Sequence, residues 1–332
     1  MAEIYASVDV GGTNLACALA GADGKIVAAT EVPTEAHEGP EAVLERIAAA
    51  TGELAEQAGA RPAAMGLGMP GLIDVANGVT KFLPNLPTQW RDVKVREILS
   101  PKVGCPVYLL NDARTAALGE LVFGRGKSAN TMVFYTLGTG IGGGVVVEGK
   151  LRLGPLGAAG ELGHQTILPD GPLCGCGSRG CLETLASGPA ITAEGVRLML
   201  IGQAPKLHEI VGGDISAVNP KTMAAAAAAG EQPITEAIER AAGYLGIGVA
   251  NMVTALHPDL IVLGGGVAEM GEMLFNAVRR TVTERIGMFP TEDVRIEPSA
   301  LGPQAGALGG IALAMKGGEL ENANSHNANA HK

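Results

Sequence analysis

Two stretches of the chain show the same succession of apolar strands and glycine turns. In residues 4–33, alternating runs rich in β-branched residues predict strands on both sides of the turn Gly11–Asn14. In residues 130–154, an apolar strand, the turn Gly138–Gly140, a second strand, a short "EGK" turn and a third strand follow in the same order. The repeat predicts two halves of similar structure, each of the α/β class.

A third apolar strand, in "PDLIVLGGGVAEMGEML", ends at Gly264–Gly266 and is expected to lead into a helix whose N-terminus favours anions. Neither a Walker loop nor a dinucleotide-binding glycine motif is present. Backbone amides and threonine hydroxyls of the two glycine turns can bind phosphate, which suggests that the halves clamp a nucleotide. Thr13 and Thr139 would then face its phosphates, Gly264–Gly266 its adenosine, and Asp9 could hold Mg²⁺ through water. For a single turn, an ordinary hairpin is the alternative.

The segment "CPVYLLNDARTAALGELVFG" predicts a buried strand over 107–110 and a helix over about 114–123, with Asn111 and Asp112 at their junction. Either side chain could simply cap the helix. Ligands of open α/β sheets bind at the carboxyl ends of strands, where Asp112 lies. There a carboxylate could accept the proton of a sugar hydroxyl during phosphoryl transfer. Polar loops containing Gly71 and Asn85 are typical of cleft walls.

Three of the five cysteines lie in "LCGCGSRGCLE", and a histidine precedes them with the spacing H-x9-C-x-C-x4-C. The candidate ligands are His164, Cys174, Cys176 and Cys181. A structural zinc ion is favoured, since a disulfide needs an oxidising compartment and a catalytic thiol needs one cysteine with a base. Glu161 and Glu183 flank this set. They are either solvated or, with His164, point at a ligand rich in hydroxyl groups, and their spacing does not decide between these.

Length and composition narrow the functional classes. A chain of 332 residues with 47% hydrophobic residues fits two domains, and its net charge of −10 without a basic cluster argues against nucleic acid or an anionic membrane as partner. No signal peptide and no membrane-length apolar stretch is visible, so a cytoplasmic location is expected. The polar, aperiodic residues 317–332 predict a disordered tail.

The motifs "DVGGTN", "MPGLID", "NLPTQW", "LLNDARTAALGE", "LGTGIGGG", "GELGH" and "CGCGSRGCLE" resemble those of the ROK family (repressors, open reading frames and sugar kinases). They occur in family order from residue 9 to about residue 310, and the "GELGH" to "GCLE" block is the most specific. The resemblance implies an actin-like ATPase fold (a duplicated ribonuclease-H-like fold) with two domains and an interdomain cleft. It also implies ATP- and Mg²⁺-dependent phosphorylation of a hexose, usually at the 6-hydroxyl.

Position by position, the resemblance implies a role for each matching residue. Asp112 is the expected general base. The expected sugar-binding residues are Gly71, Asn85, Asn111, Asp112, Glu161, His164 and Glu183. The expected ATP- and Mg²⁺-binding residues are Asp9, Gly11, Gly12, Thr13, Asn14, Gly138, Thr139, Gly140, Gly264 and Gly265. The expected ligands of a structural Zn²⁺ are His164, Cys174, Cys176 and Cys181.

Within the family, the sequence looks most like the glucokinase branch. Kinases for N-acetylmannosamine, N-acetylglucosamine, allose and fructose share its motifs, and polyphosphate remains open as a phosphoryl donor. A sugar-responsive repressor is expected to carry a helix-turn-helix before the first glycine loop, which here begins at residue 9. A non-catalytic sugar-binding module would keep the zinc loop and lose Asp112 or the phosphate loops. A homodimer or homotetramer is expected, because members of the family are usually dimeric or tetrameric.

The expected domain organisation is a small α/β domain over residues 1–112, joined by a C-terminal helix over 302–316. A larger α/β domain over residues 113–301 would carry the zinc loop.

Overall fold

The computed structural model describes residues 3–83, 86–87 and 90–320. Its contacts group the chain into two compact units, and its longer strands form two five-stranded sheets. The first unit contains residues 1–129, 144–160 and 300–332, and the second contains residues 130–143 and 161–299.

The sheet of the first unit has the strand order β3-β2-β1-β4-β7. Strands β1, β2 and β3 form an antiparallel meander, whereas β4 runs parallel to both β1 and β7. All five residues of β4 are buried, as expected for a central strand covered on both faces. The strands are β1 Ile4–Val10, β2 Asn14–Gly21, β3 Ile26–Pro33, β4 Met65–Met69, the hairpin β5 Leu72–Asp74 with β6 Val79–Phe82, and β7 Val107–Asn111.

The second sheet repeats this order as β10-β9-β8-β11-β12. Strand β11 is fully buried and runs parallel to β8 and to β12, as β4 does to its neighbours. The strands are β8 Met132–Leu137, β9 Ile141–Val147, β10 Lys150–Leu151, β11 Leu260–Gly264 and β12 Arg295–Pro298. The duplication predicted from the two glycine-turn repeats is therefore confirmed, and each repeat supplies the antiparallel part of its sheet.

The helices are divided between the two units. The first unit contains α1 Pro40–Ala58, α2 Val95–Val103, α3 Asp112–Val122 and α10 Ala305–Met315. The second unit contains α4 Glu183–Ala186, α5 Gly188–Leu200, α6 Pro205–Ile210, α7 Pro220–Ala228, α8 Gln232–Leu256 and α9 Glu272–Arg285. Within the part of the chain that the structure describes, no helix combines the length and apolarity that a membrane crossing requires.

The first unit extends past the boundary expected at residue 112. Helix α3 packs against α10, and the buried carboxylate of Glu120 on α3 accepts the backbone N–H of Leu301 at 3.0 Å. These contacts keep α3 with the strand that precedes it. Residues 317–320, which were expected to belong to a disordered tail, are packed on the first unit, because Gly318 lies against the Tyr108 ring and Leu320 is buried. Residues 321–332 lie outside the described part of the chain.

Helix α10 approaches α3 and β4 closely through two glycines. A Cβ atom on Gly309 would overlap the backbone carbonyl of Thr115 in α3, and a Cβ atom on Gly66 in β4 would overlap the backbone carbonyl of Gly310 in α10. A backbone oxygen cannot rotate away as a side chain can, so any larger residue must shift the helix. The two glycines therefore set the distance between α10 and its neighbours.

Gly309→Ala is expected to lower the free energy of unfolding by about 1–3 kcal/mol, the usual cost of overpacking a core. Gly243→Ala in α8 is the matched control, because the nearest atom to its new Cβ would be 3.9 Å away. There alanine should be neutral or stabilising through its higher helix propensity. Urea unfolding of both variants tests this, and equal stabilities would contradict the close-packing argument.

Candidate active site

The first glycine turn is exposed to solvent, and hydrogen bonds from the buried Thr34 fix its conformation. Gly11 donates its N–H to the Asn14 carbonyl at 2.9 Å, which closes the turn between β1 and β2. The fully buried Thr34 donates its hydroxyl to the Gly11 carbonyl and its N–H to the Thr13 carbonyl, both at 2.7 Å. These bonds occupy carbonyls and leave Gly11–Asn14 on the surface. The sequence gives no local signal for Thr34.

Two carboxylates of the first unit influence each other electrostatically. Asp9 lies near the end of β1 and Asp112 is the first residue of α3. Burial and, as the smaller cause, the negative charge of Asp112 together raise the pKa of Asp9 from 3.8 to about 6. Space beside Asp9 is limited, because a Cβ on Gly306 would lie 2.8 Å from its Oδ2. A pair of neighbouring acids of this kind suits a divalent cation, since Mg²⁺ prefers oxygen ligands.

Asn111 is the residue that caps α3. Its Oδ1 accepts the N–H groups of Ala113 at 3.1 Å and Arg114 at 3.3 Å, and its Nδ2 donates to the Gly71 carbonyl at 3.1 Å. Gly71 has φ 83°, a conformation that favours glycine. The capping alternative thus holds for Asn111, while Asp112 follows it, half-buried, at the carboxyl end of β7. Asn85 lies outside the described residues.

A buried arginine ties a second loop to α3. Arg114 is 1% exposed, and its Nε donates to the Ala159 carbonyl at 2.7 Å. A guanidinium in such a position is unusual, because charged groups are rarely fully buried without partners. It fixes residues 153–160 against the helix that begins with Asp112. Sequence analysis missed this residue, although a lone arginine in an otherwise apolar helix segment was a usable signal.

The second glycine turn is held at both ends by backbone contacts. Gly138 donates its N–H to the Gly140 carbonyl at 2.9 Å, and its own carbonyl accepts the Gly188 N–H at 2.8 Å. Val267 donates to the Leu137 carbonyl at 3.0 Å. Gly265 has φ 84° and passes so close to Leu137 that a Cβ would lie 2.5 Å from that carbonyl. The end of β11 thus packs directly on the turn.

A cavity of about 560 Å³ opens beside this turn within the second unit. It is lined by Gly138, Thr139, Gly188, Pro189, Thr192, Asn219, Pro220, Lys221, Gly266, Val267 and Glu269. Apolar walls with a few polar groups are typical of small-molecule sites. Gly266 and Thr139 were expected here, whereas the wall from α5 and α7 was not.

The helix expected directly after Gly266 is wrong. A short 3-10 turn over 268–270 comes first, and α9 begins only at Glu272. Gly271, with φ 73°, separates this turn from α9. The helix dipole therefore does not start at the glycine turn.

The four candidate zinc ligands converge in the second unit. Their ligand atoms lie within 4.8 Å of one another, with 3.6 Å between Cys174 Sγ and His164 Nδ1 and 3.7 Å between the Sγ atoms of Cys176 and Cys181. Tetrahedral zinc with Zn–S bonds of about 2.3 Å separates its sulfur ligands by about 3.8 Å. The donor set therefore fits a four-coordinate zinc ion. Cys174 and Cys181 are buried and Cys176 is exposed.

The thiols of the cluster differ in acidity. Burial, followed by the hydrogen bonds that the Cys181 thiol donates to Cys176 and Cys174, raises the pKa of Cys181 to about 12. The backbone N–H of Ser178 lowers the pKa of Cys176. At neutral pH the metal-free Cys181 is thus a neutral thiol, and metal binding must release its proton.

Two carboxylates, Glu161 and Glu183, lie beside the cluster. The Nδ1 of His164 faces Cys174, while its Nε2 lies 3.9 Å from Glu161 Oε2, and both side chains are partly exposed. Glu183 accepts the Ile141 N–H through Oε2 at 3.0 Å, and its Oε1 lies 3.9 Å from Cys174 Sγ. One nitrogen of His164 thus faces the cysteines and the other faces Glu161.

The structure divides the expected site residues between the two units. Asp9, Gly11–Asn14, Gly71, Asn111 and Asp112 belong to the first unit. Glu161, His164, Glu183, the three cysteines, Gly138–Gly140 and Gly264–Gly265 belong to the second. Each unit therefore contributes one glycine–threonine turn and a set of polar side chains.

Comparisons with known proteins show the family to which this chain belongs. The ROK family model matches residues 5–317, and the chain belongs to that family. A glucokinase of Thermotoga maritima is 36% identical over 310 residues, which cover 92% of this chain and 95% of the relative. The crystal structure of a ROK family glucokinase from Streptomyces griseus in complex with glucose and AMPPNP has a TM-score of 0.82 and 32% identity, covering 94% of this chain and 99% of that one.

A different activity also occurs among the relatives. A xylose repressor of Caldicellulosiruptor bescii is 33% identical over 251 residues, which cover 76% of this chain and 62% of the repressor. The family and its solved structures confirm the actin-like ATPase fold expected from the motifs.

Proposed function

We propose that this protein is an ATP-dependent kinase that transfers the γ-phosphoryl group of ATP to the 6-hydroxyl of glucose. The observation that carries the proposal is Asp112, a half-buried carboxylate at the carboxyl end of a parallel strand, in a chain with two exposed glycine–threonine turns. The chain is similar to proteins named glucokinase over nearly their whole length, and this similarity supports the same activity. A sugar sensor has no need of this carboxylate.

The residues of the first unit have roles in proton transfer and metal binding. Asp112 accepts the proton of the 6-hydroxyl as its oxygen attacks the γ-phosphorus and the bond to the bridging oxygen breaks, which releases ADP. Asp9 would hold Mg²⁺, which would supply positive charge beside the transferred phosphoryl group. Gly11–Asn14 offer amides and hydroxyls to phosphate oxygens. Asn111, Gly71 and Asn85 bind sugar hydroxyls.

The residues of the second unit bind the nucleotide and the sugar ring. Gly138–Gly140 contact the phosphates. The cavity between α5, α7 and Gly264–Gly266 holds adenosine, because its volume of about 560 Å³ is large enough for that group. Glu161, His164 and Glu183 bind ring hydroxyls and orient the 6-hydroxyl. A correctly oriented acceptor matters because positioning supplies much of the catalysis in phosphoryl transfer.

The Cys/His cluster holds a structural zinc ion in this proposal. With His164, Cys174, Cys176 and Cys181 as ligands, all four positions of a tetrahedral ion are occupied by protein, so the ion crosslinks the loop and activates no water. His164 then has a fixed ring orientation, with Nε2 turned to the sugar.

Asp9→Asn is expected to stabilise the protein while reducing its activity. Because the pKa of Asp9 rises from 3.8 in the unfolded chain to about 6, the folded state binds more protons between these values and loses stability as pH rises through them. Removing the charge should therefore raise the free energy of unfolding at pH 7 by about 3 kcal/mol. Urea unfolding at pH 7 and below pH 4 tests this. A gain at pH 7 that vanishes at low pH is predicted, and a loss at pH 7 contradicts it.

The activity test is ADP release with ATP, Mg²⁺ and a panel of glucose, mannose, N-acetylmannosamine, N-acetylglucosamine, allose and fructose. Glucose is expected to give the highest kcat/KM. A second series with polyphosphate in place of ATP tests the donor, and we expect ATP to be preferred because the adenosine cavity contributes binding. A sugar-independent rate with every acceptor would contradict the proposal.

The similarity to a xylose repressor supports one alternative, a sugar-responsive regulator. Such a protein would bind sugar tightly without turnover, so the same panel separates the two functions. We further propose a cytoplasmic enzyme, where ATP is available and the thiols stay reduced, and a homodimer or homotetramer, which light scattering of the purified protein measures.

A further inference from the structure

Glu183 connects the Cys/His cluster to the second glycine turn. Its Oε2 accepts the N–H of Ile141, the first residue after the turn, at 3.0 Å, while Oε1 lies 3.9 Å from Cys174 Sγ. The carboxylate therefore lies between the two parts of the second unit that the proposed function assigns to sugar and to nucleotide.

The turn is held at both of its ends by one short segment. Glu183 begins α4, and five residues later Gly188 donates its N–H to the Gly138 carbonyl at 2.8 Å. Residues 183–188 thus contact the residue that opens the turn and the residue that follows it. The fit is tight, because a Cβ on Gly140 would lie 2.5 Å from Glu183 Oε2.

We infer that Glu183 is a positioning residue for the nucleotide, which fixes the Gly138–Gly140 turn in the conformation that binds phosphate. This inference rests on the proposed function and adds a role to the sugar contact implied by the family resemblance. Donors that are fixed before the ligand arrives bind it without the cost of ordering them. A carboxylate accepting a backbone N–H makes a charge-assisted bond, which is stronger than a neutral one.

The hydrogen bond from Ile141 N–H requires an acceptor oxygen on residue 183, and it does not require a negative charge there. A negative charge close to a phosphate site is unfavourable in itself, so the carboxylate is tolerated there because Ile141 N–H partly offsets it. A neutral side chain of the same shape keeps the acceptor and removes the repulsion. Glu183→Gln and Glu183→Ala therefore separate the two effects.

The test is binding of AMPPNP with Mg²⁺, measured by calorimetry without sugar, with zinc content and thermal unfolding recorded for every variant. Glu183→Ala is expected to raise the Kd about tenfold, as for loss of one hydrogen bond to a charged group. Glu183→Gln is expected to bind at least as tightly as the wild type. Unchanged affinity of the zinc-loaded Glu183→Ala variant, or equal losses for both variants, would overturn the inference.

Gly140→Ala tests the contact from the turn, and in the otherwise wild-type chain it does not depend on the folding of Glu183→Ala. The added methyl group would displace the carboxylate, so Gly140→Ala should weaken AMPPNP binding in the wild-type background. In the Glu183→Ala variant the clash is absent, and the penalty should disappear. Equal penalties in the wild type and Glu183→Ala backgrounds would overturn the inference. No AMPPNP binding by the wild type would overturn the proposed function itself.

Discussion

Asp112→Asn is expected to lower kcat for glucose phosphorylation by about 10²–10⁴, the usual contribution of a general base. Asparagine has nearly the same shape but cannot accept the proton of the 6-hydroxyl. Because Asn111 and not Asp112 supplies the main cap of α3, the helix should form normally in the variant. Steady-state kinetics with saturating ATP and glucose measure the effect, and the KM for glucose should change far less than kcat.

The control is Asp23→Asn, which removes a carboxylate from the exposed turn between β2 and β3. Its Oδ1 accepts the Lys25 N–H at 3.0 Å, and an asparagine oxygen can accept the same bond. This variant should keep its activity. If Asp112→Asn stays folded and retains more than about a tenth of the wild-type kcat, another group serves as the base.

Removing the metal has the second large expected effect. Cys181 is fully buried, and without zinc the loop over residues 164–183 is held mainly by backbone hydrogen bonds. In small zinc domains the ion contributes about 10–16 kcal/mol of binding free energy that is spent on folding. Cys181→Ser should therefore lose zinc, expose residues 164–183 to proteolysis and weaken glucose binding through His164 and Glu161.

Cys105→Ala is the matched control, because Cys105 is a buried cysteine that lies outside the cluster. It should keep one zinc per chain, measured by elemental analysis, and wild-type affinity for glucose. Chelation of the wild type should reproduce the effects of Cys181→Ser. A Cys181→Ser protein that keeps its zinc and its glucose affinity would show that the cluster is not the structural site proposed.

The sequence allows short-range features of the site to be predicted well. Both glycine turns lie between alternating strands, and the Cys/His set is confined to about twenty residues, so local spacing is enough to find them. The internal repeat predicts the antiparallel part of each sheet. Asn111 as a cap is also a local property, since a helix N-terminus needs a side-chain acceptor close in sequence.

What the sequence cannot show is support that comes from distant parts of the chain. Thr34 holds the first turn from 20 residues beyond it, and Arg114 binds a carbonyl 45 residues away. The part of the cavity wall in the second unit that Asn219 and Pro220 form belongs to α7 and its cap, in a segment with no motif. The first unit extends past the expected boundary at residue 112 for the same reason, because the contacts of α3 with the C-terminal segment are not visible in the sequence of α3 itself.

The most direct test of the central claim is the identity of the product. ³¹P NMR of a reaction with glucose, ATP and Mg²⁺ should show glucose 6-phosphate and ADP appearing together in equal amounts, and neither should form at a comparable rate with Asp112→Asn. Glucose that binds without being phosphorylated, or ADP that appears with inorganic phosphate in place of a sugar phosphate, would contradict the assignment of this protein as a glucose kinase.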